Sequence, residues 1–282
     1  MGPLALGTDG GGSVRIPASF TGTFTLKPTY GLIPHHPASP FGTLAHIGPM
    51  TWTVEDAALL LDVITGFDSR DWSALATPRE PFSALASRAL SGGSGGSSPQ
   101  NDADVSGLRV AYSPDLGYVN VDPEVAALVD AAAQTFADLG AKVERVDPGF
   151  TDPVEDFEIL WFAGAAKVVQ HLSPEERDML DPGLREVCDM GDEYSATTYL
   201  AATATRMELG RIMGRFHEEY DLLLTPTMPI PPFEAGRAAP STGPYAVEGA
   251  RWTSWTQFTY PFNMTQQPAA SVPCGFTGAG LP

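Results

Sequence analysis

The chain has 282 residues, of which 43% are hydrophobic and 18% charged, a composition typical of a globular protein with a sizeable core. Its formal net charge of −18 repels phosphate backbones and argues against a nucleic-acid partner, and no stretch approaches the ~20 apolar residues of a membrane span. Two cysteines, Cys188 and Cys274, are too few for a disulfide framework, which favours a cytoplasmic location.

Three consecutive glycines, Gly10 to Gly12, precede Ser13, with Asp9 before the run and Arg15 after it. Glycine adopts positive φ readily and lets a ligand approach the backbone, so that successive N–H groups can point into one concavity. Such a concavity suits an oxyanion hole, in which N–H donors stabilise the negative oxygen that forms when a carbonyl is attacked. A GGGS string alone is more often a flexible loop, but flexible linkers do not continue into RIPASFTGTFTLKPT. We therefore expect Ser13 to be the attacking group.

Hydrophobic periodicity predicts an α/β chain. The predicted strands are short apolar runs at residues 108–112, 142–146, 222–224 and 269–272, and residues 20–26 predict a buried turn that enters a strand. The predicted helices carry apolar residues at helical spacing and lie at residues 53–66, 122–139, 153–220 (with breaks near Pro174 and Pro182) and 252–262. The strand, helix and strand between residues 108 and 146 form a β-α-β unit, which is typical of a parallel sheet. Residues 30–50 are rich in proline, glycine and histidine and predict surface loops.

Two further segments need an interpretation. Residues 91–104 include the low-complexity run SGGSGGSS and predict a flexible surface loop rather than a second catalytic motif. Large side chains in the predicted helical stretch are interpreted as core, with pocket lining as the alternative: Trp161, Phe162, Tyr194, Tyr199 and Met207.

The segment LGTDGGGSVRIPASF, followed by LKPT, resembles the nucleophile motif of the amidase signature family, G-[ST]-D-x-G-G-S-[IV]-R-x-P followed by G-L-K-P-T. YDLLLTPTMP at residues 220–229 and AASVPCG at residues 269–275 are similar to two later segments of that family, in the same order. The resemblance implies a mixed β-sheet core covered by helices. It also implies a single domain over residues 1–282 that is truncated at both ends relative to the family.

The resemblance implies hydrolysis of a carboxamide C–N bond, with Ser13 as the catalytic nucleophile. The implied oxyanion hole consists of the backbone N–H groups of four residues: Gly10, Gly11, Gly12 and Ser13. Asp9 and Arg15 match positions that support this loop. The implied substrate is a small-molecule amide, with no metal, no cofactor and no nucleic-acid or membrane partner, and a homodimer is kept open as the assembly state.

The general base is the missing part of this arrangement, because a serine hydroxyl is a poor nucleophile until a base removes its proton. In the family a lysine acts through a second serine, held by a cis peptide bond, and both precede the nucleophile motif. We expect both to lie outside this sequence. Lys27, in LKPT, matches a position that the family does not use as the base and is interpreted as structural. His46 and His171 are alternatives by residue type only.

Two alternative functions stay open. The first is a catalytically inactive remnant or binding protein that resembles amidases but lacks the general base. The second, within the family, is the A subunit of glutamyl-tRNA amidotransferase, which usually has glutamine after the arginine of the motif, where this sequence has Ile16. The motif GTDGGGS-RIPAS is closer to general bacterial amidases, including those that resemble the 6-aminohexanoate cyclic dimer hydrolases.

Overall fold

The computed structural model describes residues 2–90 and 105–282, so the loop predicted at residues 91–104 lies outside the described residues. The strands of the described part are β1 (Leu4–Asp9), β2 (Phe24–Lys27), β3 (His46–Thr51), β4 (Arg109–Tyr112), β5 (Lys142–Arg145), β6 (Leu222–Leu224) and β7 (Ala269–Ser271). Its helices are α1 (Arg15–Thr21), α2 (Val54–Ile64), α3 (Phe82–Leu90), α4 (Pro123–Asp138), α5 (Val154–Val169), α6 (Pro174–Arg177), α7 (Pro182–Glu193), α8 (Ala196–Glu219) and α9 (Tyr260–Met264). Two 3₁₀ turns, Gly42–Leu44 and Trp252–Trp255, complete the set.

The described strands form two sheets. The first has the order β1-β3-β2-β7 with antiparallel neighbours throughout. The second has the order β5-β4-β6 with parallel neighbours, so the predicted β-α-β unit is confirmed. Asp122 caps α4 by accepting the N–H of Glu124, and Pro123 occupies the first turn, as expected for a helix start. The α/β expectation is confirmed, with antiparallel and parallel pairing separated between the two sheets.

The main apolar core connects the helices to the segment that carries α9. Helix α5 packs against both α7 and α8, and the core cluster includes the buried side chains of Phe157, Leu209, Met213 and Phe262. Burying a side chain of this size stabilises the fold by roughly 1.5–3 kcal/mol. Because Phe157 belongs to α5 and Phe262 to α9, this cluster fixes α9 against the helical layer.

Three elements near the start of the chain were not predicted: β1, β3 and α1. The interpretation of residues 30–50 as surface loops is wrong in its last part, where the 3₁₀ turn Gly42–Leu44 and β3 lie and where Leu44 and His46 are buried. The side chains of β1 are mostly exposed, so its sequence LALGTD lacks the alternation that marks a half-buried strand. β1 forms because it pairs with β3 along its whole length, from Leu4 opposite Thr51 to Asp9 opposite His46. The third element, α1, has only seven residues. An isolated helix of that length is unstable in water, so tertiary contacts must hold it.

The helix predicted over residues 252–262 is wrong in its extent. The structure has a 3₁₀ turn at Trp252–Trp255 and a separate short helix that begins at Tyr260. Pro261 explains the break, because proline is accepted in the first turn of a helix and disrupts a helix interior. Trp255 and Phe258 are both buried, as the sequence indicated.

The core interpretation of the helical aromatic and methionine side chains is only partly correct. Phe162 is fully buried, whereas Tyr199 is 38% exposed and Met207 is 72% exposed. The buried side of α8 carries Ala202 and Leu209, and Met207 lies away from it. None of the helices within residues 2–90 and 105–282 combines the length and apolar character needed to cross a bilayer.

Candidate functional site

The three glycines and Ser13 form a turn between β1 and α1, and we call residues 10–14 the glycine loop. Ser13 is exposed at the end of this loop, immediately before α1 begins at Arg15. Asp9, the last residue of β1, is fully buried beneath the loop. The turn therefore presents one hydroxyl to solvent and encloses one carboxylate.

A buried ion pair closes the base of the glycine loop. Arg15 Nε donates to Asp9 Oδ2 at 2.9 Å and Arg15 Nη2 donates to Asp9 Oδ1 at 3.0 Å, with both side chains almost completely buried. Burial alone would raise the pKa of the Asp9 carboxyl. Attraction to the Arg15 guanidinium and hydrogen bonds from Arg15 and Asn263 outweigh burial and hold that pKa well below its usual range. Asp9 and Arg15, predicted to support this loop, are in direct contact beneath it.

Helix α9 and the residue before it, Thr259, supply a second set of contacts that sequence reasoning missed. Asn263 Oδ1 accepts from Arg15 Nη2 at 2.6 Å, and Asn263 Nδ2 lies 2.8 Å from Asp9 Oδ1 and 2.9 Å from the Asp9 carbonyl oxygen. Thr259 Oγ1 donates to the carbonyl oxygen of Gly11 at 2.7 Å, and the Thr259 carbonyl accepts from Arg15 Nη1 at 2.9 Å. Asn263 and Thr259 thus fix the glycine loop from the opposite end of the chain. The sequence signal for Asn263 is a polar residue inside the apolar run YPFNM.

Close packing explains two of the three glycines. A Cβ at Gly11 would lie 2.7 Å from Phe157 Cζ and 2.9 Å from Trp252 Cη2, which is too close for carbon atoms. Gly12 has a φ of 131°, and a Cβ there would lie 2.5 Å from Thr259 Oγ1. A Cβ at Gly10 would lie 3.6 Å from its nearest neighbour, an ordinary contact distance. Glycine is therefore sterically required at positions 11 and 12 but not at position 10.

The backbone N–H groups of the glycine loop differ in what they bind. The N–H of Gly12 donates to Asp9 Oδ1 at 2.8 Å, so this member of the predicted oxyanion hole is committed to the carboxylate beneath the loop. Within the described residues, the N–H groups of Gly10, Gly11 and Ser13 donate to no protein acceptor. Three of the four N–H groups predicted to form an oxyanion hole are thus left without a protein acceptor, next to an exposed hydroxyl.

The structure does not place Lys27, His46 or His171, which were considered by residue type, in the role of a general base. Lys27 is fully buried, and its ammonium donates to the carbonyl oxygens of Gln267 and Pro28. Burial, followed by repulsion from Arg15, lowers the pKa of Lys27 well below its usual value. His46 is buried with Nδ1 2.8 Å from the carbonyl oxygen of Leu44, and His171 is exposed at the end of α5. The structural interpretation of Lys27 is consistent with these contacts.

A cavity of about 680 Å³ lies between β6 and β7. Its lining includes Arg15 and Thr259, which hold the glycine loop, and does not include Ser13. The cavity therefore contacts the support of the loop rather than its exposed hydroxyl.

Cys188 is buried and Cys274 exposed, and both are free thiols. Across the described ranges, no group of three or more His, Cys, Asp or Glu side chains could hold a metal ion.

A family model described as Amidase matches residues 1–282, the whole chain. The chain is 36% identical over 285 residues to an acylamidase of Rhodococcus erythropolis, covering 100% of this chain and 56% of the relative. It is 32% identical over 305 residues to the A subunit of glutamyl-tRNA(Gln) amidotransferase of Synechococcus sp. (strain RCC307), covering 99% of this chain and 58% of the relative. The chain thus spans little more than half the length of these curated relatives.

Comparison of the fold with solved structures agrees with the sequence comparisons. The crystal structure of a bacterial aryl acylamidase of the amidase signature enzymes superimposes with a TM-score of 0.83 at 29% sequence identity. The match covers 99% of this chain and 57% of the aryl acylamidase chain. The similarity therefore extends over both sheets and the helical layer, including the glycine loop between β1 and α1.

Proposed function

The chain belongs to the amidase signature family of hydrolases, and on that premise we propose that it carries the nucleophile of an amidase that acts through Ser13. The observation that carries the proposal is the exposed Ser13 hydroxyl at the end of a loop with three unbound N–H donors. The buried Asp9–Arg15 pair and Asn263 hold that loop in place before any substrate arrives. Preorganised donors of this kind stabilise developing charge without reorganisation during the reaction.

In the proposed reaction, Ser13 Oγ attacks the carbonyl carbon of the amide and its proton passes to a base. The carbonyl oxygen becomes negative and binds to the N–H groups of Gly10, Gly11 and Ser13. The C–N bond then breaks, the leaving amine takes the proton, and the acyl group stays on Ser13 as an ester. Water attacks this ester, releases a carboxylic acid and restores the serine hydroxyl.

The general base is assigned by family resemblance to a lysine acting through a second serine. The chain has three lysines. Lys27 is enclosed by carbonyl groups, whereas Lys142 and Lys167 are exposed on β5 and α5. We therefore propose that the base is supplied by residues other than these three. The same observation supports the alternative of a protein that binds amides without hydrolysing them.

The remaining parts of the proposal concern substrate and location. A small-molecule amide is proposed as the substrate, and the formal charge of −18 supports the absence of nucleic-acid binding. Two unpaired cysteines are consistent with a reducing, cytoplasmic location. The assembly state stays open to measurement, with a homodimer as one alternative.

Hydrolysis of a panel of aliphatic and aromatic amides by the protein that carries this chain tests the proposal. Ser13→Ala is expected to lower kcat at least 10³-fold, because the covalent route is lost while the donors are kept. Ser19→Ala, a matched serine on α1, should retain the rate of the unmodified protein. Equal rates for the two variants would refute Ser13 as the nucleophile. Binding of amides without hydrolysis by the unmodified protein would favour the binding alternative.

A further inference from the structure

Four aromatic side chains pack together beside the glycine loop, and we call Phe41, Phe157, Trp161 and Trp252 the aromatic wall. The ring centroids of Trp161 and Trp252 are 5.3 Å apart, and those of Phe41 and Trp161 are 4.9 Å apart. Phe157 meets Trp252 edge to face at 5.8 Å. Phe157 is fully buried, whereas Phe41, Trp161 and Trp252 are only half-buried. The wall thus has a rigid back and an accessible face.

The aromatic wall lies directly against the residues that would bind the carbonyl oxygen of a substrate. The position of a Cβ on Gly11 is 2.9 Å from Trp252 Cη2, and that of a Cβ on Gly10 is 3.6 Å from Trp161 Nε1. A carbonyl oxygen held by the N–H groups of these glycines lies about 2.7–3.1 Å from the nitrogen atoms. The acyl group is bonded to the same carbonyl carbon. The wall is therefore next to the same two glycines whose N–H groups would hold that carbonyl.

The indole N–H of Trp161 is a hydrogen-bond donor that lies beside Gly10. In the described part of the chain, Trp255 Nε1 donates to the carbonyl oxygen of Ala238 at 2.8 Å. Trp161 is half-buried, and its Nε1 is not one of the buried polar atoms that lack a partner, so water can reach it. Trp161 therefore presents both a ring edge and a donor beside Gly10.

The charges near the aromatic wall do not favour an anionic acyl group. Arg251 precedes Trp252 in the chain, and its guanidinium is paired with Glu158 at 3.7 Å and Glu186 at 3.1 Å. Glu158 also accepts a hydrogen bond from Thr253 at 2.5 Å. A carboxylate on the substrate would meet these acidic groups. Arg251 Nε has no hydrogen-bond partner, but it is buried, and the guanidinium is already paired with two carboxylates. An uncharged, apolar acyl group meets no such penalty.

We propose that the aromatic wall binds the acyl group of the substrate, and that the preferred substrates are amides of uncharged aromatic or bulky apolar acids. The proposal rests on the proposed function, since it places the acyl group by the carbonyl that Ser13 attacks. Trp161 and Trp252 are its specificity-determining residues. Their rings contact the acyl group through a ring edge or a ring face, in the geometries that aromatic pairs adopt.

Two anilides that differ only in the acyl group, phenylacetyl against acetyl, test this assignment in the protein that carries this chain. The kcat/KM ratio of the phenylacetyl to the acetyl anilide is expected to be at least about tenfold, the discrimination typical of apolar pockets. Trp161→Leu and Trp252→Leu should reduce that ratio several-fold, and Trp161→Phe, which keeps a ring, should reduce it less. Trp72→Leu is the matched control, because Trp72 is 85% exposed, and it should leave the ratio unchanged.

A binding measurement keeps the assignment testable without turnover. In the Ser13→Ala variant, phenylacetamide should bind at least about tenfold more tightly than acetamide by calorimetry, and Trp161→Phe should keep more of that preference than Trp161→Leu. Equal binding of the two amides, or an acyl ratio that neither tryptophan variant changes, would overturn the assignment. Those outcomes would leave the proposed function intact. The proposed function fails separately, if Ser13→Ala retains full hydrolysis.

Discussion

Replacing Gly11 by alanine probes the packing that shapes the glycine loop. A Cβ at Gly11 would lie 2.7 Å from Phe157 Cζ and 2.9 Å from Trp252 Cη2. Carbon atoms in contact are normally ~3.5–4.0 Å apart, so the loop or the two rings must move by about 1 Å. Phe157 is fully buried and stacks on Tyr260 at 4.7 Å, which restricts movement of that ring. We therefore expect the loop to move.

This movement of the loop should affect both the free energy of unfolding and the rate of hydrolysis. Overpacking of a filled site typically costs about 1–3 kcal/mol of unfolding free energy. A displacement of about 1 Å in a catalytic group can cost on the order of 10²-fold in rate. Gly11→Ala is therefore expected to lower stability by about 1–3 kcal/mol and amide hydrolysis by about 100-fold.

The matched control is Gly10→Ala, in the same loop. Its Cβ would lie 3.6 Å from Trp161 Nε1 and meets no closer atom. Urea unfolding followed by circular dichroism measures stability, and hydrolysis of a reactive anilide measures the rate. Gly10→Ala should lose clearly less stability than Gly11→Ala. An equal loss in the two variants, or no loss in Gly11→Ala, would refute the packing argument.

Two further predictions concern the buried polar groups around the glycine loop. Asn263→Ala should lower the free energy of unfolding by about 3–5 kcal/mol, because Arg15 and Asp9 each lose a buried hydrogen bond. Denaturant titration measures this loss. As a control, Asn120→Ala at an exposed position should change the free energy of unfolding by no more than about 0.5 kcal/mol. Equal losses in the two variants would contradict the prediction. Burial lowers the pKa of His46 to about 3, so the unfolded chain takes up a proton below pH ~6.5 that the folded chain does not accept until about pH 3. As the pH is lowered over that range, this residue should reduce the free energy of unfolding by up to about 1.4 kcal/mol per pH unit. Unfolding measured at several pH values should therefore show a shallower dependence of unfolding free energy on pH for His46→Asn than for the unmodified protein. Identical slopes would count against a buried, neutral imidazole.

Local signals were sufficient for much of the fold. The side chain of Thr53 accepts the N–H of Asp56 and starts α2 as predicted, and Asp122 and Pro123 start α4. Each signal lies within a few residues of the element that it defines. Capping and helical periodicity depend on such neighbours, so they can be identified in a single sequence.

The support of the candidate site could not be predicted in the same way. Asn263 contacts Asp9 across 254 residues, and Thr259 contacts Gly11 across 248. No periodicity connects positions so far apart, and an asparagine in a short apolar run does not by itself indicate which groups it contacts. The motif around Ser13 was identifiable because its residues adjoin one another. The contacts that hold it depend on how α9 packs against β1 and α1.

The exposed hydroxyl of Ser13 can be tested by its reaction with a fluorophosphonate, which transfers phosphorus to an activated serine oxygen and releases fluoride. After digestion of the labelled protein, mass spectrometry locates the adduct. We expect a single stoichiometric adduct on the peptide that contains Ser13, present in Ser19→Ala and absent in Ser13→Ala. An adduct on another residue, or equal labelling of Ser13→Ala, would contradict the assignment of the nucleophile.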